Sequence, residues 1–175
     1  MLKIDTYQAF KAQVMEPDFQ DFMEDRGSLR KAWHCAGSLF HLHDWIYKTH
    51  AATINAKYTF VNDDGNERPV RKSSEFATAL GQIYPEFQII RGVANSSKHF
   101  VLGPVPEGRI NPPGTPSNAA NTYVVSAGFQ PGPFQDDAFE TDGVWLEAEP
   151  EPVEFAPLAQ KVLKMWDSLI VEEGW

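Results

Sequence analysis

The chain has 175 residues, 42% of them hydrophobic and 22% charged, with a formal net charge of -9 and a single cysteine. That length and balance suit one globular domain with a real core. The lone Cys35 excludes an internal disulfide or a multi-cysteine metal site, and no apolar run reaches the roughly 18 residues that a bilayer span needs.

Asp5 precedes an amphipathic stretch and Pro17 opens a second piece, so the first 25 residues read as two short helices. They lack the charged head and apolar block of a secretory signal, so the expected location is the cytoplasm, with no membrane partner. Ser28 is a good N-cap for a long helix running to about Thr49 or a few residues beyond, with no proline and only Gly37 inside it. At about 100° per residue, Cys35, Leu39, Leu42 and Ile46 form one apolar ridge, and Trp33, Phe40 and Tyr47 form another. His43 lies between the ridges, at the centre of the buried arc. His34, His41 and Lys48 fall on the polar side with Trp45, while Asp44 sits at an edge of the buried arc.

Asp64-Gly65 signals a hairpin turn. Ser74 is the expected cap of a second long helix, and Pro85 predicts a kink, or a break and restart, near Tyr84. From Pro85 to His99 the apolar stripe is Phe87, Ile90 and Ala94, extended backwards by Ile83. Along its margin runs a polar row, Arg91, Asn95 and His99, spaced i, i+4, i+8. Residues 103–121 hold five prolines and three glycines and are expected to form a long loop. The segments 122–127 and 143–149 then read as the strands of a hairpin. Pro157 starts a final helix whose face is Leu158, Val162, Met165, Trp166 and Leu169. Together these elements predict one α+β domain over 1–175, mainly α: a helical bundle over 1–99, a Pro/Gly-rich loop over 100–121, a β-hairpin over 122–150 and a C-terminal helix over 155–172.

The charge is uneven along this order. Residues 132–175 carry 11 acids against Lys161 and Lys164, whereas residues 1–131 hold 13 of each sign. The acidic end is therefore a poor surface for wrapping nucleic acid. Arg68, Arg71, Lys72, Arg91 and Lys98 fall close enough in the chain to form a local basic patch.

For a metal site, His41 and Asp44 have the spacing of a helical ligand pair, with His99 as a third donor. Zinc needs about four convergent ligands, and His43 points away from His41, so neither a metal nor a cofactor is expected. Cys35, on an apolar ridge, is an inert thiol. Ser96 and Ser97 are helical and lack the strained turn of a nucleophile elbow. The polar row carries the sharper chemistry. A guanidinium at Arg91 would stabilise phosphorane charge, His99 would move protons near neutral pH, and an RNA 2′-hydroxyl would supply the nucleophile without a metal. The same residues also fit a hydrogen-bond network between helices, with His43 taking a partner from Asn95 or Arg91 and Asp44 pairing with Arg91 or Lys98.

The two long helices and the segment IIRGVANSSKHF, roughly Ser28 to His99, resemble the HEPN superfamily of helical nucleotide-binding proteins and ribonucleases of toxin and phage-defence systems. That resemblance implies Arg91 as the phosphate-binding residue, His99 as the catalytic imidazole, Asn95 as a helper, and RNA or a nucleotide as the partner. Seven residues separate Arg91 from His99, more than in the family's pattern, and Gly92 stands where the family usually has a polar residue. Two functions thus stand side by side. The first is a helical scaffold or interaction protein of bacterial or phage type, with the row structural. The alternative is an HEPN-like, metal-independent ribonuclease or nucleotide-binding protein. Trp45 on a polar helix side and Trp175 at the end suggest a contact surface for another subunit, and a homodimer is the default homo-oligomer.

Overall fold

In the computed structural model, which describes residues 3–97, 121–125, 142–147 and 151–175, the fold is α+β, mainly α, with two small antiparallel sheets. The two short N-terminal helices are joined without a break: α1 (Tyr7–Phe10) runs through a π turn (Lys11–Met15) into α2 (Glu16–Glu24). Thr6, the residue after Asp5, is the N-cap, its hydroxyl accepting from the Ala9 amide at 3.1 Å. Pro17 accounts for the π turn. A proline ring crowds the carbonyl four residues back, and here the backbone widens so that the Glu16 amide donates to Lys11 O. The widening also sets register. Tyr7 and Met15 are eight positions apart, which in an unbroken α-helix overshoots two turns by about 80°. The extra residue absorbed by the π turn takes up that angle, and both side chains are buried with Phe19 and Phe22.

The long helix α3 (Leu29–Lys57) starts at the predicted cap, Ser28 Oγ accepting from the Lys31 amide at 3.4 Å. It continues past the expected end near Thr49, where non-helical backbone at His50 (φ -118°, ψ 23°) marks a kink. Cys35, Leu39, Leu42, Ile46, Phe40 and His43 are buried, while His34 and Lys48 are exposed, as the 100° spacing requires.

The predicted hairpin follows: β1 (Thr59–Val61) pairs with β2 (Glu67–Pro69) around Gly65, whose φ of 76° suits a residue without a side chain. The Gln82 side chain closes the outer edge of β1, accepting from Val61 N at 2.9 Å and donating to Val61 O at 2.7 Å. Helix α4 (Ser73–Ile83) begins one residue before the expected Ser74 cap. No side chain caps it; Glu75 reaches back to the Arg71 amide at 2.8 Å instead.

The backbone breaks at Tyr84 (φ -121°, ψ 95°) and restarts at Pro85 as α5 (Pro85–Ser96). The break turns Ile83 out of the stripe it was expected to extend: Ile83 is exposed, while Phe87, Ile90, Val93 and Ala94 are buried. Strands β3 (Thr122–Val125) and β4 (Gly143–Leu146) pair antiparallel as expected. A third strand, β5 (Val153–Glu154), joins β4 and leads into α6 (Phe155–Glu172), which starts ahead of Pro157. Most of the loop 103–121, the residues from 126 to 141, and Glu149 at the end of the second strand segment lie outside the described residues.

Helix α3 packs against α1, α2, α4, α5 and α6, and the buried apolar side chains form one cluster. Trp166 of α6 is fully enclosed in it. Its indole Nε1 donates to Leu39 O at 2.9 Å, and its ring meets Phe87 edge-on at 5.6 Å. No helix among the described residues is long and apolar enough to cross a membrane.

Candidate functional site

The polar row does not meet α3 in the way the helix wheels suggest. The break at Tyr84 folds α5 back along α4, setting Gln88 against Gly81 and Arg91 against Thr78. Arg91 Nη1 accordingly donates to Thr78 Oγ1 at 3.2 Å, and burial pulls the guanidinium below its ordinary value. A long side chain takes the nearest acceptor its stem can reach while leaving part of the head in water. Asn95 is half-buried one turn further on. Ser96 and Ser97 donate to Val93 O and Ala94 O at 2.9 and 2.8 Å, so both hydroxyls are turned back on their own helix. Lys98 and His99 lie outside the described residues.

The ionisable side chains gather on α3 instead. His41 Nδ1 lies 3.2 Å from Asp44 Oδ2, and His43 Nε2 lies 3.3 Å from Asp44 Oδ1, so one carboxylate spans both rings. The partners expected for His43, Asn95 or Arg91, are thereby corrected to two atoms of its own helix. His43 Nδ1 is 2.6 Å from Phe40 O, and because a carbonyl oxygen only accepts, Nδ1 is the donor. Anchoring that ring edge on the carbonyl three residues back tilts the imidazole along the helix and carries Nε2 to its sequence neighbour.

Asp44 in turn does not pair with Arg91, whose bond goes to Thr78; the other partner expected for it, Lys98, lies outside the described residues. Its carboxyl is held well below the usual carboxylate range by the hydrogen bonds from His41 and then His43, against the opposing effect of burial, with a smaller contribution from the Ser73 hydroxyl at the start of α4. A folded value below the unfolded one makes this pairing stabilising above the ordinary carboxylate range, about pH 4. The contribution is lost as pH falls through the folded value. Asp44→Asn is therefore expected to flatten the acid limb of the stability profile below about pH 4, measured by urea denaturation at a series of pH values.

His41 and Asp44 also line an open groove of about 340 Å³ between the N-terminal helices and α3, with Phe10 and Asp18 on one wall and Gly37 and Trp45 on the other. Trp45, expected as an exposed ring, is half-buried: it stacks on Phe10 with centroids 5.2 Å apart and planes 19° apart, and Lys48 Nζ sits 5.9 Å from its centroid. Trp175 is likewise half-buried, stacked on His50 at 5.8 Å. Neither offers the bare aromatic surface expected for a subunit contact. Cys35 is enclosed, and burial pushes its thiol far up, as an inert thiol requires. Among the described residues, no group of three or more His, Cys, Asp or Glu side chains is placed to hold a metal ion.

Sequence reasoning missed Phe10, Asp18 and Gly37 as groove residues. Phe10, Val14 and Asp18 follow one another at intervals of four, which was the available signal, but what they face depends on where the π turn directs α2. No protein-family model, curated protein or solved structure matches the chain.

Proposed function

We propose that the chain is a helical scaffold or interaction protein in which the described part of the polar row holds helices in register. The observation that carries this reading is the bond from Arg91 to Thr78. The guanidinium is engaged on the α4–α5 contact, and it lines neither the groove beside His41 nor a second one beside Lys11 and Trp175. Transition-state stabilisation needs donors aimed at the space where charge develops, and a half-buried guanidinium bonded to a neighbouring helix is aimed elsewhere. The purified chain is expected to leave single-stranded RNA intact, with His99→Ala indistinguishable from wild type. Metal-independent cleavage by the wild type that disappears in a folded His99→Ala variant would overturn the proposal in favour of the ribonuclease.

A further inference from the structure

We infer that the groove between the N-terminal helices and α3 docks a cationic side chain, an arginine presented by a partner polypeptide. This rests on the reading of the chain as an interaction protein and names the chemistry of the partner.

Three features of the groove point the same way. The first is its floor. A glycine inside a helix costs about 1 kcal/mol relative to alanine, and the usual compensations are a close approach or a positive φ. Gly37 has neither: a Cβ built there meets nothing within 4 Å, and its backbone is ordinary helix. What the missing side chain leaves is depth in the groove.

Charge is the second feature. Asp18 and Asp44 line the groove, and no lysine or arginine does among the described residues. Asp44 is tied to its histidines but keeps 46% of its side chain exposed. Asp18 is half-buried and makes no hydrogen bond or ion pair among the described residues. On a chain of net charge -9, such a groove attracts cations and repels phosphates.

The third is the aromatic wall. Phe10 and Trp45 form a flat stacked pair, and the electron-rich faces of aromatic rings attract cations. A guanidinium suits the combination better than an ammonium, because its plane stacks on aromatic rings while its fork pairs with a carboxylate. A volume of about 340 Å³ is near the lower end for small-ligand pockets and accommodates one side chain.

The test uses N-acetyl-arginine N-methylamide as the probe and its neutral isostere, N-acetyl-citrulline N-methylamide, as the control, each titrated into the full chain by ¹H–¹⁵N NMR. The arginine probe is expected to shift the Gly37 amide and the Trp45 indole, and the citrulline probe to leave them in place. Asp18→Asn, which removes one charge without altering shape, should weaken the arginine response roughly tenfold, as loss of a charge-assisted hydrogen bond does. Gly37→Leu, which grows into open space, should abolish it while leaving the rest of the spectrum native. Equal responses to both probes, or an arginine response untouched by Gly37→Leu, would overturn the assignment. Absence of any arginine response while RNA stays intact defeats this inference alone, whereas RNA cleavage defeats the interaction-protein reading.

Discussion

Trp166→Ala is expected to destabilise the fold by about 3–5 kcal/mol, the range for truncating a large buried aromatic side chain. The indole is fully enclosed, and it joins α6 to α3 through Leu39 O and to α5 through the Phe87 ring. Its removal therefore opens a cavity where three helices meet. A domain of this size typically has about 5–15 kcal/mol of stability in total, so the variant should unfold at a much lower urea concentration. Trp166→Phe separates the two contributions. It keeps most of the packing and removes the bond to Leu39 O, for an expected loss of about 1–2 kcal/mol. A Phe variant as unstable as the Ala variant would mean that the hydrogen bond, not the packing, dominates.

His43→Ala is expected to cost somewhat less than the tryptophan truncation, about 2–3 kcal/mol, from lost core packing and from the lost bond of Nδ1 to Phe40 O. The ring is only 3% exposed, so water does not replace that bond easily. His41→Ala, on the same carboxylate but with 37% of its side chain exposed, should cost no more than about 1 kcal/mol, as surface pairs do. Urea denaturation of both variants at neutral pH checks the contrast. If His43→Ala lost no more than His41→Ala, His43 would be a passive filler of the core.

Much of the backbone was legible from local chemistry. Ser28 and the apolar ridges marked α3, Asp64-Gly65 marked the first hairpin, and Pro85 marked the restart of α5, because caps, turns and prolines act within a few residues of themselves. The burial of His43 was legible for the same reason, since a helix wheel reports which way a residue faces. Its partners were not, because the tilt of an imidazole depends on which carbonyl holds its other nitrogen. The partner of Arg91 was hidden by a tertiary effect: the wheel places it at the α5 margin, but whether it faces α3 or α4 depends on how sharply the chain turns at Tyr84. The groove was hidden for a third reason. Its walls are formed by segments about 30 residues apart in sequence, and the phase of one of them is set by a π turn that no hydrophobic repeat announces.

That π turn makes the first helical segment sensitive to how its backbone is wound rather than to its residue count. Removing one residue between Lys11 and Met15 would set Tyr7 seven positions from Met15, within about 20° of two full turns of ordinary helix, so the phase would be kept and both side chains would stay in the core. Rewinding the π turn into ordinary helix with all its residues retained would instead rotate everything before it by about 100° relative to α2. Tyr7 would then leave the core, and Phe10 would swing away from Trp45. The groove's aromatic wall thus depends on the winding of a few backbone units between Lys11 and Met15, and rewinding them would dismantle it while leaving Asp18, Asp44 and Gly37 in place.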